Sequence, residues 1–349
     1  MGEEQANGEA MAGRATWSRS AERSGTFGLT WEGWAVPEFV LTHTQEWLDH
    51  FALQGYRASP LAAGVEGAIY DLGSDLIAKV WRARRQGELE LMQHFYADVA
   101  KAGLPFMTPE ILTVEQIDGV SVTYERKLPG KPLQQRLAFD DRDVEPVAAR
   151  CVIDVLQALS SAPATEAMRR LQVLDEKQPL WTGADTFQAA LTNLLSRRVA
   201  RFGDVIRTHL SDFDRRYESL RRRLQALARC PDTVIHGDLV PENILVDERA
   251  RPVAVLDFGF LTTAGDPRLD AAIAASVLNM YGPYAPAITD ALTAQAAQDL
   301  GYPVDVLLIY QATYAVATAN AFTSDGSDGH FAWCIDQLRR SDIANALGM

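Results

Sequence analysis

From residue 57 onward, apolar positions first alternate with polar ones in short runs and then, past residue 130, recur every three or four residues over long stretches. The alternating runs at 57 to 62, 68 to 73, 75 to 81, 110 to 115 and 120 to 125 predict short strands separated by turn residues. Between the third and fourth, Leu91, Met92, Phe95 and Val99 share one face of a helix predicted over 86 to 101, with Gly103 just past its end. After Leu128-Pro129-Gly130, helical spacing predicts helices at about 143 to 160, 184 to 200, 203 to 229, 267 to 281, 286 to 299, 304 to 320 and 331 to 346. The β-branched runs within 233 to 246 and at 252 to 256 interrupt this helical half around a polar loop. The expected class is α+β: a small antiparallel sheet with one main helix, followed by a larger, mainly helical lobe.

Upstream, residues 1 to about 25 carry hardly any large apolar side chains, which predicts a disordered leader. Trp31, Trp34, Val36, Phe39 and Val40, then Trp47, Leu48 and Phe51 at helical spacing, place the start of folded structure near Trp31. The expected division is a leader over 1–30, an N-terminal lobe over 31–128 and a helical C-terminal lobe over 129–349.

Composition narrows the function classes. A chain of 349 residues, 47% apolar, can bury a sizeable core in two lobes. Its three cysteines, Cys151, Cys230 and Cys334, are too few and too scattered for a disulfide framework or a zinc site. No stretch reaches the roughly 18 uninterrupted apolar residues of a membrane span, and the first residues lack the basic and apolar regions of a signal peptide. A cytoplasmic protein with no membrane partner is expected. The formal charge of −13 argues against a nucleic-acid partner and suits a cationic ligand, although acidity also serves plain solubility. Arg197, Arg198, Arg201, Arg207, Arg215, Arg216, Arg221, Arg222 and Arg223 could suggest RNA. They fall mostly off the apolar stripe of Phe213, Tyr217, Leu220, Leu224 and Leu227, as a solvated helix face does.

Chemistry concentrates in two segments. Val234-Ile235-His236-Gly237-Asp238-Leu239-Val240-Pro241-Glu242-Asn243-Ile244-Leu245-Val246 sets an Asp and an Asn five residues apart between two apolar runs. Fourteen residues past the Asn stands Asp257-Phe258-Gly259, after the run Val253-Ala254-Val255-Leu256. Phosphoryl transfer needs a carboxylate to orient the attacking hydroxyl and oxygen ligands to hold Mg²⁺ against nucleotide phosphates. Asp238, Asn243 and Asp257 supply that set.

The pair of motifs H-G-D-x-x-x-x-N and D-F-G resembles the catalytic signature of the aminoglycoside phosphotransferase family, the small-molecule branch of the bilobal protein-kinase-like superfamily. The resemblance implies Asp238 as catalytic base, Asn243 and Asp257 as Mg²⁺ ligands, and His236 as a brace of the loop. Gly237 replaces the Arg of protein kinases, and the 13 residues from Gly259 to Ala271 leave no room for a phosphorylated activation loop. It further implies that Lys79, in Leu76-Ile77-Ala78-Lys79-Val80-Trp81, contacts the α- and β-phosphates. A buried ammonium needs a carboxylate partner. Glu88 is expected to supply it from the core-facing side of the following helix, with Glu90 in a poorer phase. The hairpin Ala63-Gly64-Val65-Glu66-Gly67-Ala68 takes the place of the nucleotide-covering loop. Gly64 and Gly67 would let backbone amides approach phosphate, Glu66 would repel a triphosphate if it pointed inward, and a plain β-turn fits the same residues.

In Val120-Ser121-Val122-Thr123-Tyr124-Glu125-Arg126-Lys127-Leu128-Pro129-Gly130 the resemblance implies a hinge whose Glu125 carbonyl and Lys127 amide meet the base. Gly265-Asp266-Pro267-Arg268-Leu269-Asp270 resembles the family's G-D-P-x-x-D element, which implies that Asp270 supports the catalytic loop and leaves Asp266 as helix cap or substrate contact. The expected function is an ATP-dependent O-phosphotransferase, with GTP as alternative donor and Mg²⁺ as cofactor, working as a monomer or homodimer. The first expectation for the acceptor is an aminoglycoside-like or other antibiotic, with Asp325, Asp328 and Asp336 near Trp333 as possible holders of an ammonium. A sugar or amino-alcohol metabolite is the alternative, and a non-catalytic binding module a further one.

Overall fold

The computed structural model describes residues 43–64, 66–138 and 142–349; the expected leader, the aromatic stretch from Trp31 to Val40 and Val65 lie outside them. The chain divides into two compact units: the residues up to Gln86 with Thr113–Glu125, and Gly87–Leu112 with Arg126–Met349.

The first unit is built on a five-stranded sheet. Strands β1 (Ser59–Gly64), β2 (Gly67–Gly73), β3 (Leu76–Trp81), β4 (Ile111–Ile117) and β5 (Val120–Arg126) run in the order β1-β2-β3-β5-β4. The β1-β2 and β2-β3 pairs are antiparallel, with Ile69 opposite Lys79. Helix α1 (Thr44–Leu53) packs Trp47 and Phe51 onto Tyr70, Leu72, Ala78, Val80, Val122 and Tyr124. Successive strand residues point to opposite faces. Because Ala78 and Val80 face that core, Lys79 between them is turned to the other side of the sheet.

Helix α2 (Gln86–Lys101) keeps its predicted bounds, yet its segment through Leu112 belongs to the second unit, whereas the sequence placed it in the N-terminal lobe. The cause is what the helix buries. Phe95 and Tyr96 lie against the ring of Phe258, at 5.4 and 6.0 Å between centroids. Past the helix, Met107 N–H donates to the Val253 carbonyl and its own carbonyl accepts from Val255 N–H, both at 2.9 Å. Leu89 and Tyr96 take buried places in its seam, and Leu91 is only half-buried.

The rest of the second unit is helical around α9 (Val304–Thr318), which is mostly apolar or small on every side and buried from Val306 to its end. Against it pack α7 (Arg268–Val277), α8 (Ala285–Leu300), α10 (Gly329–Arg339), α11 (Ser341–Ala346) and the antiparallel pair α5 (Phe187–His209) and α6 (Phe213–Gln225). Helix α3 (Pro146–Leu159) and the short α4 (Glu166–Arg169) precede them.

Two expected helix boundaries move. The predicted break at 200 to 203 falls instead at Leu210–Asp212, because Phe202, Gly203 and Ile206 continue the buried face of α5. The predicted 331 to 346 helix is two helices, separated at Arg340 by an extended ψ of 137°. The arginine-bearing face is also less uniform than its phase suggests. Arg198 is buried and pairs with Asp175, which a loop outside α5 brings over it, and it lies 4.6 Å above the Phe202 ring.

Two pairs of short strands hold the chemical segments. Strand β7 (Thr233–Ile235) pairs antiparallel with β10 (Thr263–Gly265). Strand β8 (Ile244–Val246) pairs with β9 (Pro252–Val255), and β6 (Lys131–Pro132) adds to its other edge. Residues 236–243 thus run from β7 to β8 and residues 256–262 from β9 to β10, so the two ladders bring both loops to one place.

Candidate active site

His236 is fully buried, and its imidazole joins the two loops. Asp238 N–H donates to Nδ1 at 3.2 Å, which leaves the proton on Nε2, and Nε2 donates to the Leu256 carbonyl at 2.8 Å. One ring therefore ties the backbone of Asp238 to the residue before Asp257. Burial pushes its pKa down to about 4, the Leu256 bond and the Asp257 charge opposing, so the ring is neutral at physiological pH. Phe258 covers it at 4.4 Å between centroids. Both ring nitrogens of the residue expected to brace the loop are occupied by backbone groups.

Asp270 grips the start of the 236–243 loop. Its two oxygens accept from His236 N–H at 2.7 Å and Gly237 N–H at 2.8 Å, and the residue is 2% exposed. Burial raises its carboxyl to about 6 against the pull of those two amides. Thr262 Oγ1, which no motif pointed to, donates to the His236 carbonyl from the second loop. Gly237 has φ +76°, and a Cβ there would stand 2.3 Å from the Leu261 carbonyl carbon. An Arg has no place at this position, which accounts for H-G-D.

Asn243 is buried. Its Nδ2 donates to the Asp238 carbonyl at 2.9 Å, and its own carbonyl accepts from Leu256 N–H at 2.7 Å. With the amide nitrogen committed, Oδ1 is the atom suited to a hard cation. Asp257 is exposed and holds a left-handed φ of +43°, a strained conformation for a non-glycine residue. Asp238 is half-buried. Its charge reaches Tyr314, whose phenol burial raises well above its ordinary value and Asp238 raises further. Among the described residues no group of three or more His, Cys, Asp or Glu is arranged for a metal. Asn243 and Asp257 fit instead a Mg²⁺ that takes few protein oxygens and completes its shell from phosphates and water.

In the first unit, Lys79 Nζ lies 3.5 Å from Glu66 Oε2 and 4.0 Å from the centre of the Trp81 ring. Sequence phase pointed to Glu88 as its partner. Glu88 sits half-buried in the first turn of α2 and Glu90 is exposed. Gly64 and Gly67 face each other across the hairpin, and Gly67 is obligatory because a Cβ would stand 1.9 Å from the Val80 carbonyl oxygen. Glu125 is buried, accepting from Thr123 Oγ1, which in turn accepts from Trp81 Nε1 at 2.9 Å; Lys127 is half-buried.

Asp266 is 1% exposed and accepts from the backbone and guanidinium of Arg268 and from the Tyr310 hydroxyl at 2.7 Å, just ahead of the Pro267 N-cap of α7. The three acids proposed for an ammonium are engaged locally. Asp328 accepts from Phe331 N–H and Thr323 Oγ1, Asp325 from Ser327, and Asp336 pairs with Arg339. Beside them a ring series that sequence did not mark runs from Phe260 through Phe322 and His330 to Trp333 and Tyr314, with centroids 5.0 to 6.0 Å apart.

A family model described as the phosphotransferase enzyme family matches residues 57–304. No curated protein sequence matches the chain. Solved structures similar to it include the GDP complex of aminoglycoside 2'-phosphotransferase-IIIa, 16% identical over 88% of this chain and 99% of that one, with a TM-score of 0.54. Macrolide 2'-phosphotransferase MphH from Brachybacterium faecium is 18% identical over 84% and 98%, with a TM-score of 0.52. Aminoglycoside phosphotransferase APH(3'')-Id from Streptomyces rimosus, in complex with ADP and streptomycin, is 14% identical over 79% and 98%, with a TM-score of 0.50. The fold is of this kind, as the sequence led one to expect.

Proposed function

Because the chain belongs to the phosphotransferase enzyme family, we propose that it transfers the γ-phosphoryl group of a nucleotide, ATP before GTP, to a hydroxyl of a small molecule. The observation that carries this reading is the buried His236 imidazole, bonded on one side to the backbone of Asp238 and on the other to Leu256. It holds a base and a metal ligand, nineteen residues apart in sequence, on adjoining loops before any substrate arrives. Positioning of that kind is most of what phosphoryl transfer requires of a protein.

In this reading Asp238 orients the acceptor hydroxyl and takes its proton. Asn243 Oδ1 and Asp257 would hold Mg²⁺, which would neutralise charge on the phosphates. Lys79 contacts the phosphates from the strand above the hairpin of Gly64 and Gly67, and the backbone at Glu125 and Lys127 meets the base. His236 and Asp270 do no chemistry; they hold the loop. A second, non-catalytic reading finds no support in a loop so fully braced around an accessible carboxylate.

For the acceptor, an antibiotic is the first reading, prompted by the aminoglycoside and macrolide enzymes of the same fold. The exposed Phe322 ring, stacked on Phe260 at 5.5 Å, supports a hydroxylated molecule with an apolar face, and the local engagement of Asp325, Asp328 and Asp336 gives less support to a polycation. The test is a panel of aminoglycosides, macrolides, sugars and amino alcohols incubated with ATP or GTP and Mg²⁺, read by mass spectrometry. A metal-dependent gain of one phosphate on a panel member is expected. Nucleotide consumption without phosphorylation of any added hydroxyl would reject small-molecule transfer.

A further inference from the structure

Arg84 belongs to no motif, yet it shares a carboxylate with the lysine assigned to the phosphates. Glu66 Oε1 accepts from Arg84 NH2 at 3.0 Å, and Glu66 Oε2 lies 3.5 Å from Lys79 Nζ. One planar anion thus sits between two cations, one to each oxygen. The backbone at Glu66 and Gly67 is tied to the neighbouring strand: the Glu66 carbonyl accepts from Arg82 N–H at 2.8 Å, and Gly67 packs directly on the Val80 backbone. Exposure orders the group, since the side chains of Lys79, Arg84 and Glu66 are 12%, 30% and 48% exposed. The cations lie below and the carboxylate on the solvent side.

We propose that Lys79 and Arg84 form a two-cation phosphate cradle and that Glu66 is its internal phosphate mimic, displaced by the terminal phosphates of a bound nucleotide. The proposal rests on the nucleotide-dependent function above and adds a residue and a competitor to it. Charge favours the exchange: a phosphate dianion offers the two cations more negative charge than the single Glu66 carboxylate does. Strength agrees, because partly exposed ion pairs contribute little, whereas arginine–phosphate hydrogen bonds are among the stronger polar contacts. The mimic stays ionised at neutral pH. Burial raises the Glu66 carboxyl, and the charges and hydrogen bonds of Lys79 and Arg84 together outweigh it, leaving the group below its ordinary range.

The experiment is calorimetric titration of the full chain with ADP, GDP and adenosine at fixed Mg²⁺, for the unaltered protein and for Glu66→Gln, Arg84→Gln and Arg84→Lys. Glu66→Gln should tighten diphosphate binding several-fold, and Arg84→Gln should weaken it roughly tenfold, with partial recovery in Arg84→Lys. Adenosine should bind all four alike, and thermal melts should coincide, which separates phosphate contact from damage to the fold. Diphosphate affinities within twofold of the unaltered protein in both Gln variants, or equal changes for adenosine, would overturn the cradle alone. An unaltered protein that binds neither ADP nor GDP would overturn the nucleotide-dependent function together with it.

Discussion

Around His236, donors and acceptors are buried and matched one to one, whereas around Glu66 a half-exposed carboxylate is shared by two cations. The first arrangement is expensive to disturb, because a buried polar group that loses its partner forfeits the full desolvation penalty. The second is cheap to rearrange, because solvent replaces what is lost. One region is organised to stay as it is while chemistry passes over it, and the other to exchange its anion.

The sharpest break in that comparison is Asp238→Ala, which removes the one half-buried acid the His236 network presents. Turnover should fall about 10²- to 10⁴-fold while the melting temperature stays in place; parallel loss of both would show that Asp238 is structural. Gly237→Ala attacks the frame itself. A left-handed φ and a Cβ 2.3 Å from the Leu261 backbone should cost on the order of 3 kcal/mol, read from the urea midpoint.

Asp270→Asn keeps the shape but can accept only one of the two amides, so a loss of about 1–3 kcal/mol is expected. It also tests the pH dependence. His236 and His330 are depressed by burial from 6.5 to about 4, so on acidification the unfolded chain takes up their protons first, and stability falls between pH 6.5 and 4. Asp270, raised from 3.8 to about 6, binds its proton more tightly when folded and works in the opposite direction between pH 6 and 4. Two histidines against one carboxyl leave a net loss towards acid, and Asp270→Asn should steepen it. A shallower slope in that variant would reverse the assignment.

The smallest effect belongs to the other region. Arg84→Ala should change folding stability by no more than about 1 kcal/mol in chemical denaturation. A larger loss would mean that the Glu66 group is a structural clamp like the one around His236, and the contrast between the two regions would disappear.

The strand expected at 75 to 81 and found at Leu76–Trp81, and the helix at 86 to 101, were legible because alternation and helical phase are local properties of the chain. The spacing of His236, Asp238, Asn243 and Asp257 was legible because loop chemistry constrains sequence directly. Arg84 was not: it follows the strand in a segment without periodicity, and a run of basic residues after Trp81 looks like any solvated turn. Thr262 and Tyr314 were hidden for another reason: Thr262 meets the His236 carbonyl, and Tyr314 feels the Asp238 charge, each from an element distant in sequence.

By itself, then, the sequence determined the two classes of secondary structure, the catalytic signature and the lysine strand, all of which follow from side-chain period and short-range spacing. Only the tertiary structure decided that α2 is packed on Phe258, that Arg198 is buried under Asp175, and that Glu66 shares its oxygens between Lys79 and Arg84. Those outcomes depend on which surfaces are brought together over long separations. Each is set by burial and charge pairing between elements, which no local pattern encodes.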